Sequence, residues 1–124
     1  MAATVVGALA GTVGIAVPAE AGESPISCTY TVNASWPGGF FANLAIANAG
    51  PAVNGWTVRW TFADPTTDIN GWSARITLQD NAVTATNMSW NGTIGTGQVV
   101  TFGWSATAAK TTVPTDITVN GTPC

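Results

Sequence analysis

The stretch Gly55–Phe62, GWTVRWTF, alternates large apolar residues with polar ones. Side chains of an extended strand point to opposite faces in turn, with a period of two. Trp56, Val58, Trp60 and Phe62 therefore share one face, and Thr57, Arg59 and Thr61 the other. The first set belongs in a core and the second in solvent. Outward from this stretch, short runs rich in Val, Thr, Ile, Trp and Phe recur between clusters of Gly, Asn, Asp and Pro, the pattern of an all-β chain. The predicted strands are Cys28–Asn33, Gly39–Asn48, Gly55–Phe62, Ser73–Gln79, Ala82–Asn87, Gln98–Ser105 and Asp116–Asn120. The turn signals PGG, NAGPAVNG, ADPTTDING, QDN, NGTIGTG and KTTVPT separate them. No linker, low-complexity tract or internal repeat divides the chain. Seven or more short strands at this spacing predict a single antiparallel β-sandwich, immunoglobulin-like or jelly-roll.

The 124 residues leave room for one domain. Residues 1–21 read as a leader: an apolar run of Ala, Val, Ile and Gly, then Pro18 and the small-residue site Ala19-Glu20-Ala21. It is an atypical leader, because no Lys or Arg precedes the apolar run. The alternative is a membrane anchor, but the run is short and rich in Gly, whereas a spanning helix needs about 20 apolar residues. Cleavage after Ala21 would leave a secreted domain of residues 22–124, free of the membrane. Its two cysteines, Cys28 and Cys124, sit at opposite ends, and two cysteines in a secreted chain most simply pair with each other. Such a bridge stabilises by about 4–5 kcal/mol in the chain-entropy model. Two distant cysteines without histidine make a poor metal site.

Only 7% of the residues are charged, and the net charge is −3. The basic residues are Arg59, Arg75 and Lys110, far apart in sequence. Nucleic-acid binding needs clustered Lys and Arg, so it is excluded. Hydroxyl and amide side chains supply the polarity instead, which suits an uncharged polar ligand such as carbohydrate.

Six tryptophans need places. Alternation assigns Trp56 and Trp60 to the core. In VVTFGWSA it assigns Trp104 there too, alongside Val100 and Phe102. Trp36, Trp72 and Trp90 remain, in the turn-like contexts NASWPGGF, DINGWSA and NMSWNGTI. One reading makes them caps at the ends of the core. The other makes them one exposed apolar strip, since exposed aromatic patches mark binding sites and an indole can stack on the C–H face of a sugar. Trp72 shares parity with Ala74, Ile76 and Leu78. It reaches solvent only if its strand starts later or a bulge intervenes.

At these residues the chain resembles a bacterial family 2 carbohydrate-binding module. NASWPGGFFANLAIANAG, VNGWTVRWTF, INGWSARI, SWNGTIGTGQ, FGWSA and the terminal VNGTPC follow the family's motifs in order, from Cys28 to Cys124. The resemblance implies a β-sandwich of about nine strands with a Cys28–Cys124 disulfide. It implies non-catalytic binding to insoluble polysaccharide, usually crystalline cellulose and often chitin, by a secreted monomer that uses no cofactor or metal. The family's three surface tryptophans match Trp36, Trp72 and Trp90. Its accessory polar positions fall on Asn43, Asn70, Thr101 and Ser105. Asn43 matches the usual residue and Asn70 keeps an amide where Gln is common, while Thr101 and Ser105 replace longer amides. Xylan-binding members resemble a two-tryptophan version with an Arg three residues after the first tryptophan, which turns that ring. Here that position is Gly39, which leaves Trp36 room to lie flat, and the loop with Trp72 is present.

A catalytic reading has little to stand on. A glycosidase usually needs two carboxylates flanking the scissile bond. After the leader there are only Glu23, Asp64, Asp68, Asp80 and Asp116, each in a tail, in a predicted turn or, for Asp116, directly after one. The absence of histidine excludes a Ser-His-Asp triad. The sequon asparagines Asn33, Asn87, Asn91 and Asn120 read as turn residues. Three functions stay in play: cellulose binding, chitin binding by the same face, and a structural or protein-interaction sandwich with the three tryptophans buried. The module could also be a piece detached from a glycoside hydrolase.

Overall fold

A computed structural model describes residues 25–124. The expected leader, residues 1–21, lies outside them. Among the described residues there are eleven strands: β1 Ile26–Trp36, β2 Gly39–Asn48, β3 Val53–Asn54, β4 Thr57–Thr61, β5 Thr66–Trp72, β6 Ala74–Gln79, β7 Ala82–Asn87, β8 Thr93–Ile94, β9 Val99–Ala108, β10 Thr118–Val119 and β11 Thr122–Pro123. They form a four-stranded sheet in the order β1-β2-β9-β5 and a five-stranded sheet in the order β11-β10-β4-β7-β6. The short pair β3-β8 lies apart from both. The pairings are antiparallel, as expected for an all-β sandwich.

The turns follow from their residues. Pro37 and Gly38 fill the centre of the β1–β2 hairpin. Gly38 has φ 90°, which suits glycine at the third position of a type II turn. Asp80 and Asn81 join β6 to β7 with φ 49° and 69°, and Asn120-Gly121 join β10 to β11 with φ 51° and 84°. Two successive positive φ values define the hairpin turn whose twist matches its strands.

The core lies between the sheets. Phe40, Ala42, Leu44 and Ile46 of β2 and Phe102, Trp104, Ala106 and Ala108 of β9 meet Trp56, Val58, Trp60 and Phe62 from the other layer. Trp56 stacks on Phe102 with ring centres 5.3 Å apart, and Trp60 lies 4.9 Å from Trp104. The buried Trp56 Nε1 donates to Asn91 O at 2.8 Å. All three tryptophans that alternation assigned to the core are in it. Cys28 and Cys124 form a disulfide that ties the first strand of one sheet to the end of the chain.

Three expectations need correction. ADPTTDING is not one long turn, because Thr66–Trp72 is a strand and pairs with β9. Its turn-forming residues sit in a strand because β5 is an edge strand with an irregular register. The pairing slips by one residue between Ser105 and Thr107, and Asp68 takes φ 55° there. Asp68 is therefore a strand residue at a bulge rather than a turn residue. Asn33 and Asn87 likewise lie within strands, at the register shift of β1 and at the end of β7.

Candidate functional site

The outer face of the four-stranded sheet is built by register. One row across it reads Trp72, Gly103, Asn43, Thr31, and the next reads Asn70, Ser105, Phe41, Ala34. Thr101 pairs with Ala45 on the same face. Residues directly opposite on neighbouring strands share a face. Trp72, Asn43, Asn70, Thr101 and Ser105 are therefore brought onto one surface, opposite the side that carries Phe40, Leu44, Phe102 and Trp104.

Trp36 joins them through a bulge. Pairing of β1 with β2 runs Tyr30–Leu44, Thr31–Asn43, Val32–Ala42, then skips Asn33 and resumes at Ala34–Phe41. Strict alternation from Tyr30 and Val32 would turn Trp36 inward. The extra residue reverses the parity, so Trp36 pairs with Gly39 and faces out beside Phe41. The two rings lie 5.8 Å apart.

Trp72 escapes its inward parity by a different route. It ends β5, and Ser73 follows with φ 63°. Ala74 then begins β6 in the other sheet. The chain changes layers at Ser73, so Trp72 and Ala74 do not belong to one strand.

Both indoles lie against glycine. A Cβ on Gly39 would sit 2.6 Å from Trp36 Nε1 and 2.9 Å from Cε2. A Cβ on Gly103 would sit 2.5 Å from both Cε2 and Nε1 of Trp72 and 2.6 Å from Cζ2. Carbon atoms in ordinary contact stand about 3.5–4.0 Å apart, so no other residue fits under either ring in this pose. Gly39 and Gly103 lie on the adjacent inner strands, β2 and β9. Gly103 is opposite Asn43, four residues along from Gly39. Strand spacings put the two seats about 14 Å apart.

Trp90 stands on the β7–β8 loop, and Asn91 holds that loop. Asn91 Oδ1 accepts from Met88 N at 2.7 Å, closing the turn that presents Trp90. Asn91 Nδ2 donates to Ser73 O at 2.7 Å, which ties the turn to the residue after Trp72. The side chain is nearly buried, at 9% exposure.

Trp36 and Trp72 are each 48% exposed and Trp90 is 69% exposed, against 2% or less for Trp56, Trp60 and Trp104. The alternative in which the three are buried end caps is thereby overturned. Residues that sequence reasoning passed over are Phe41 and Gly103. Phe41 was within reach, since its parity is opposite to that of Phe40, Ala42 and Leu44. Gly103 acts through a partner distant in sequence, and no local pattern marks it. Asn91, read from the sequence as a turn residue, does close its turn on Met88 N, but its tie to Ser73 O has no local sign.

No ionisable side chain is among these face residues. Asp64 Oδ2 accepts from Thr112 N at 3.0 Å and Asp116 Oδ1 from Thr61 N at 3.0 Å. The Thr112 hydrogen bonds hold the Asp64 carboxyl below its ordinary pKa. Among the described residues, no three His, Cys, Asp or Glu side chains come together in a way that could hold a metal.

The family model described as a cellulose binding domain matches residues 26–124. The chain is 38% identical over 113 residues to endo-1,4-beta-xylanase B of Cellvibrio japonicus, an alignment that covers 90% of this chain and 18% of that enzyme. It thus spans less than a fifth of that relative's length. Among solved structures, the chitin-binding domain of Chi18aC from Streptomyces coelicolor matches with a TM-score of 0.67 and 30% identity, covering 80% of this chain and 93% of that one. The cellulose-binding family 2 domain from ScLPMO10C matches with a TM-score of 0.57 and 32% identity, covering 77% and 94%. The order of motifs, the sandwich with its terminal disulfide and the match over 26–124 agree: the chain belongs to carbohydrate-binding module family 2, the cellulose binding domains.

Proposed function

We propose that this domain binds insoluble polysaccharide without acting on it, with crystalline cellulose as its principal ligand. The observation that carries this reading is the seating of Trp36 and Trp72 on glycines of one outward sheet face, with Trp90 tied beside Trp72 through Asn91. Exposed indoles held against a sheet suit a ligand whose own surface is flat. Asn43, Asn70, Thr101 and Ser105 on the same face would hydrogen-bond sugar hydroxyls. Two of the four described aspartates are engaged with backbone amides, which supports a role without catalysis. The leader-like residues 1–21 support export of a monomeric module, residues 22–124, to the cell exterior. There it would act alone or attached to a glycoside hydrolase.

The size of the effect follows from area. A tryptophan side chain carries about 250 Å² at most. With half of it exposed, stacking removes about 100 Å² from water, or about 2–3 kcal/mol per ring. Depletion from solution onto microcrystalline cellulose tests this directly. Trp72→Ala should lower the partition constant by about 30-fold or more. Unchanged partition, or acrylamide quenching of indole fluorescence unaffected by cellulose, would end this reading. The similarity to the chitin-binding domain of Chi18aC supports a second reading, chitin, on the same face. Depletion onto chitin in parallel decides between the polymers.

A further inference from the structure

We propose that Gly103 is a positioning residue: it sets the plane of Trp72 and so decides whether the face accepts a flat ligand. This rests on the polysaccharide-binding reading above. Gly103 lies in β9, an inner strand of the four-stranded sheet, between Phe102 and Trp104, which both point into the core. Its own missing side chain would therefore point outward, yet the residue is buried. The cover is Trp72, whose Nε1, Cε2 and Cζ2 would all stand within 2.6 Å of a Cβ placed there.

Glycine is otherwise a poor choice at this site. A glycine inside a strand is destabilising relative to alanine and commonly marks close approach by another group. Gly103 is not among the residues with positive φ, so the backbone does not require it. Its two strand neighbours pair regularly, Gly103 with Asn43 on one side and with Trp72 on the other. What remains to account for glycine is the ring above it. A methyl at this point would stand about 1 Å inside ordinary contact distance, so the indole must lift or tilt. A tilted ring still meets a flexible chain in solution, but no longer lies along a planar surface beside Trp36.

The test uses Gly103→Ala, which keeps Trp72 and every polar group of the face. The expected result is a loss of about tenfold in partition onto microcrystalline cellulose, with affinity for a soluble cello-oligosaccharide within about twofold of wild type. Alanine suits a strand better than glycine, which offsets the packing lost as the ring lifts, so the melting temperature should stay near that of wild type and misfolding does not explain the loss. Combining Gly103→Ala with Trp72→Ala should produce no loss beyond that of Trp72→Ala alone, since only the ring connects position 103 to ligand. A second measurement needs no ligand. In a Trp36→Phe, Trp90→Phe background, Trp72 is the single exposed tryptophan, and Gly103→Ala should raise its quenching by acrylamide. Wild-type partition from Gly103→Ala, an equal loss in the Trp72→Ala background, or unchanged quenching would each overturn the proposal. Failure of the wild-type protein to bind either polymer would instead strike the functional reading, and the quenching result would still decide the role of Gly103.

Discussion

Replacing Asn91 by alanine removes two side-chain hydrogen bonds at once. Asn91 Nδ2 leaves Ser73 O, and Asn91 Oδ1 leaves Met88 N, both 2.7 Å contacts in a nearly buried setting. A buried group left without its partner costs about 1–3 kcal/mol. Both partners are partly buried, so water can reach them in the variant, and the lower end applies to each. The sum is about 2–3 kcal/mol, with some further loss if the Asn91 carbonyl shifts away from Trp56 Nε1. For a domain of this size that lowers the melting temperature by roughly 10–20 °C. Urea unfolding followed by tryptophan fluorescence measures the free energy. Depletion onto cellulose well below the new melting temperature measures what the loosened turn does to Trp90. Binding should fall towards that of Trp90→Ala, although no ligand-facing group has been removed. Asn91→Asp refines the prediction. It keeps an acceptor for Met88 N but sets a carboxylate oxygen against Ser73 O, so the turn persists while its tie to the Trp72–Ser73 crossover is lost. A cost below about 0.5 kcal/mol for Asn91→Ala, the range of ordinary surface substitutions, together with unchanged binding, would refute this role.

Gly39→Arg should push Trp36 off the sheet and shift preference from crystalline cellulose towards xylan, with unchanged cellulose partition counting against the seated-ring explanation. Partition onto cellulose should be insensitive to about 1 M NaCl, because the proposed contacts involve no charge and leave nothing for salt to screen. It should also be flat between about pH 5 and 9, since the face holds no histidine or other group that titrates there. Burial raises the pKa of Tyr30. The unfolded chain ionises near the ordinary tyrosine value of about 10 while the folded one stays neutral, so stability is complete below that pH and falls as pH rises above it. Urea titrations at alkaline pH should show this decline, and Tyr30→Phe should lessen it.

Much of the sandwich is legible in sequence because most strands obey alternation. In GWTVRWTF the period of two holds throughout, and Trp56, Val58, Trp60 and Phe62 all reach the core. The hairpin turns announce themselves through Pro37-Gly38, Asp80-Asn81 and Asn120-Gly121. What escapes is every place where the pairing slips. The register shift at Asn33 reverses the parity of Ala34, Ser35 and Trp36, and nothing local in TYTVNASW reports it. The segment DPTTDING hides β5 because an edge strand with a bulge tolerates Asp, Asn and Gly. Trp72 looks inward only if read together with Ala74, Ile76 and Leu78, and the positive φ of Ser73 separates them. A bulge depends on which partner strand is opposite, so its signal lies in residues far along the chain.

Those same irregularities build the binding face. The two outer strands of the four-stranded sheet, β1 and β5, each contain one register slip, and each ends in an exposed tryptophan. Without the slip in β1, Trp36 would point into a core already filled by Phe40 and its neighbours. Each tryptophan then leans over the adjacent inner strand, where glycine occupies the opposing position, Gly39 for Trp36 and Gly103 for Trp72. The inner strands β2 and β9 thus supply the seats as well as Asn43, Thr101 and Ser105. Trp36 and Trp72 rest on backbone at these glycines, with Phe41 beside Trp36, which limits the rotamer freedom that a ligand would have to restrict. A face made this way is preorganised by strand register. Mutations that alter register in β1 or β5 should therefore damage binding more than substitutions of single polar contacts such as Thr101 or Ser105. Deleting Asn33 isolates the role of register in β1: the extra residue of the bulge is gone, Ala34 still meets Phe41 and Trp36 still meets Gly39, so Trp36 stays outward and cellulose partition should hold, whereas a loss of binding would refute the argument from pairing.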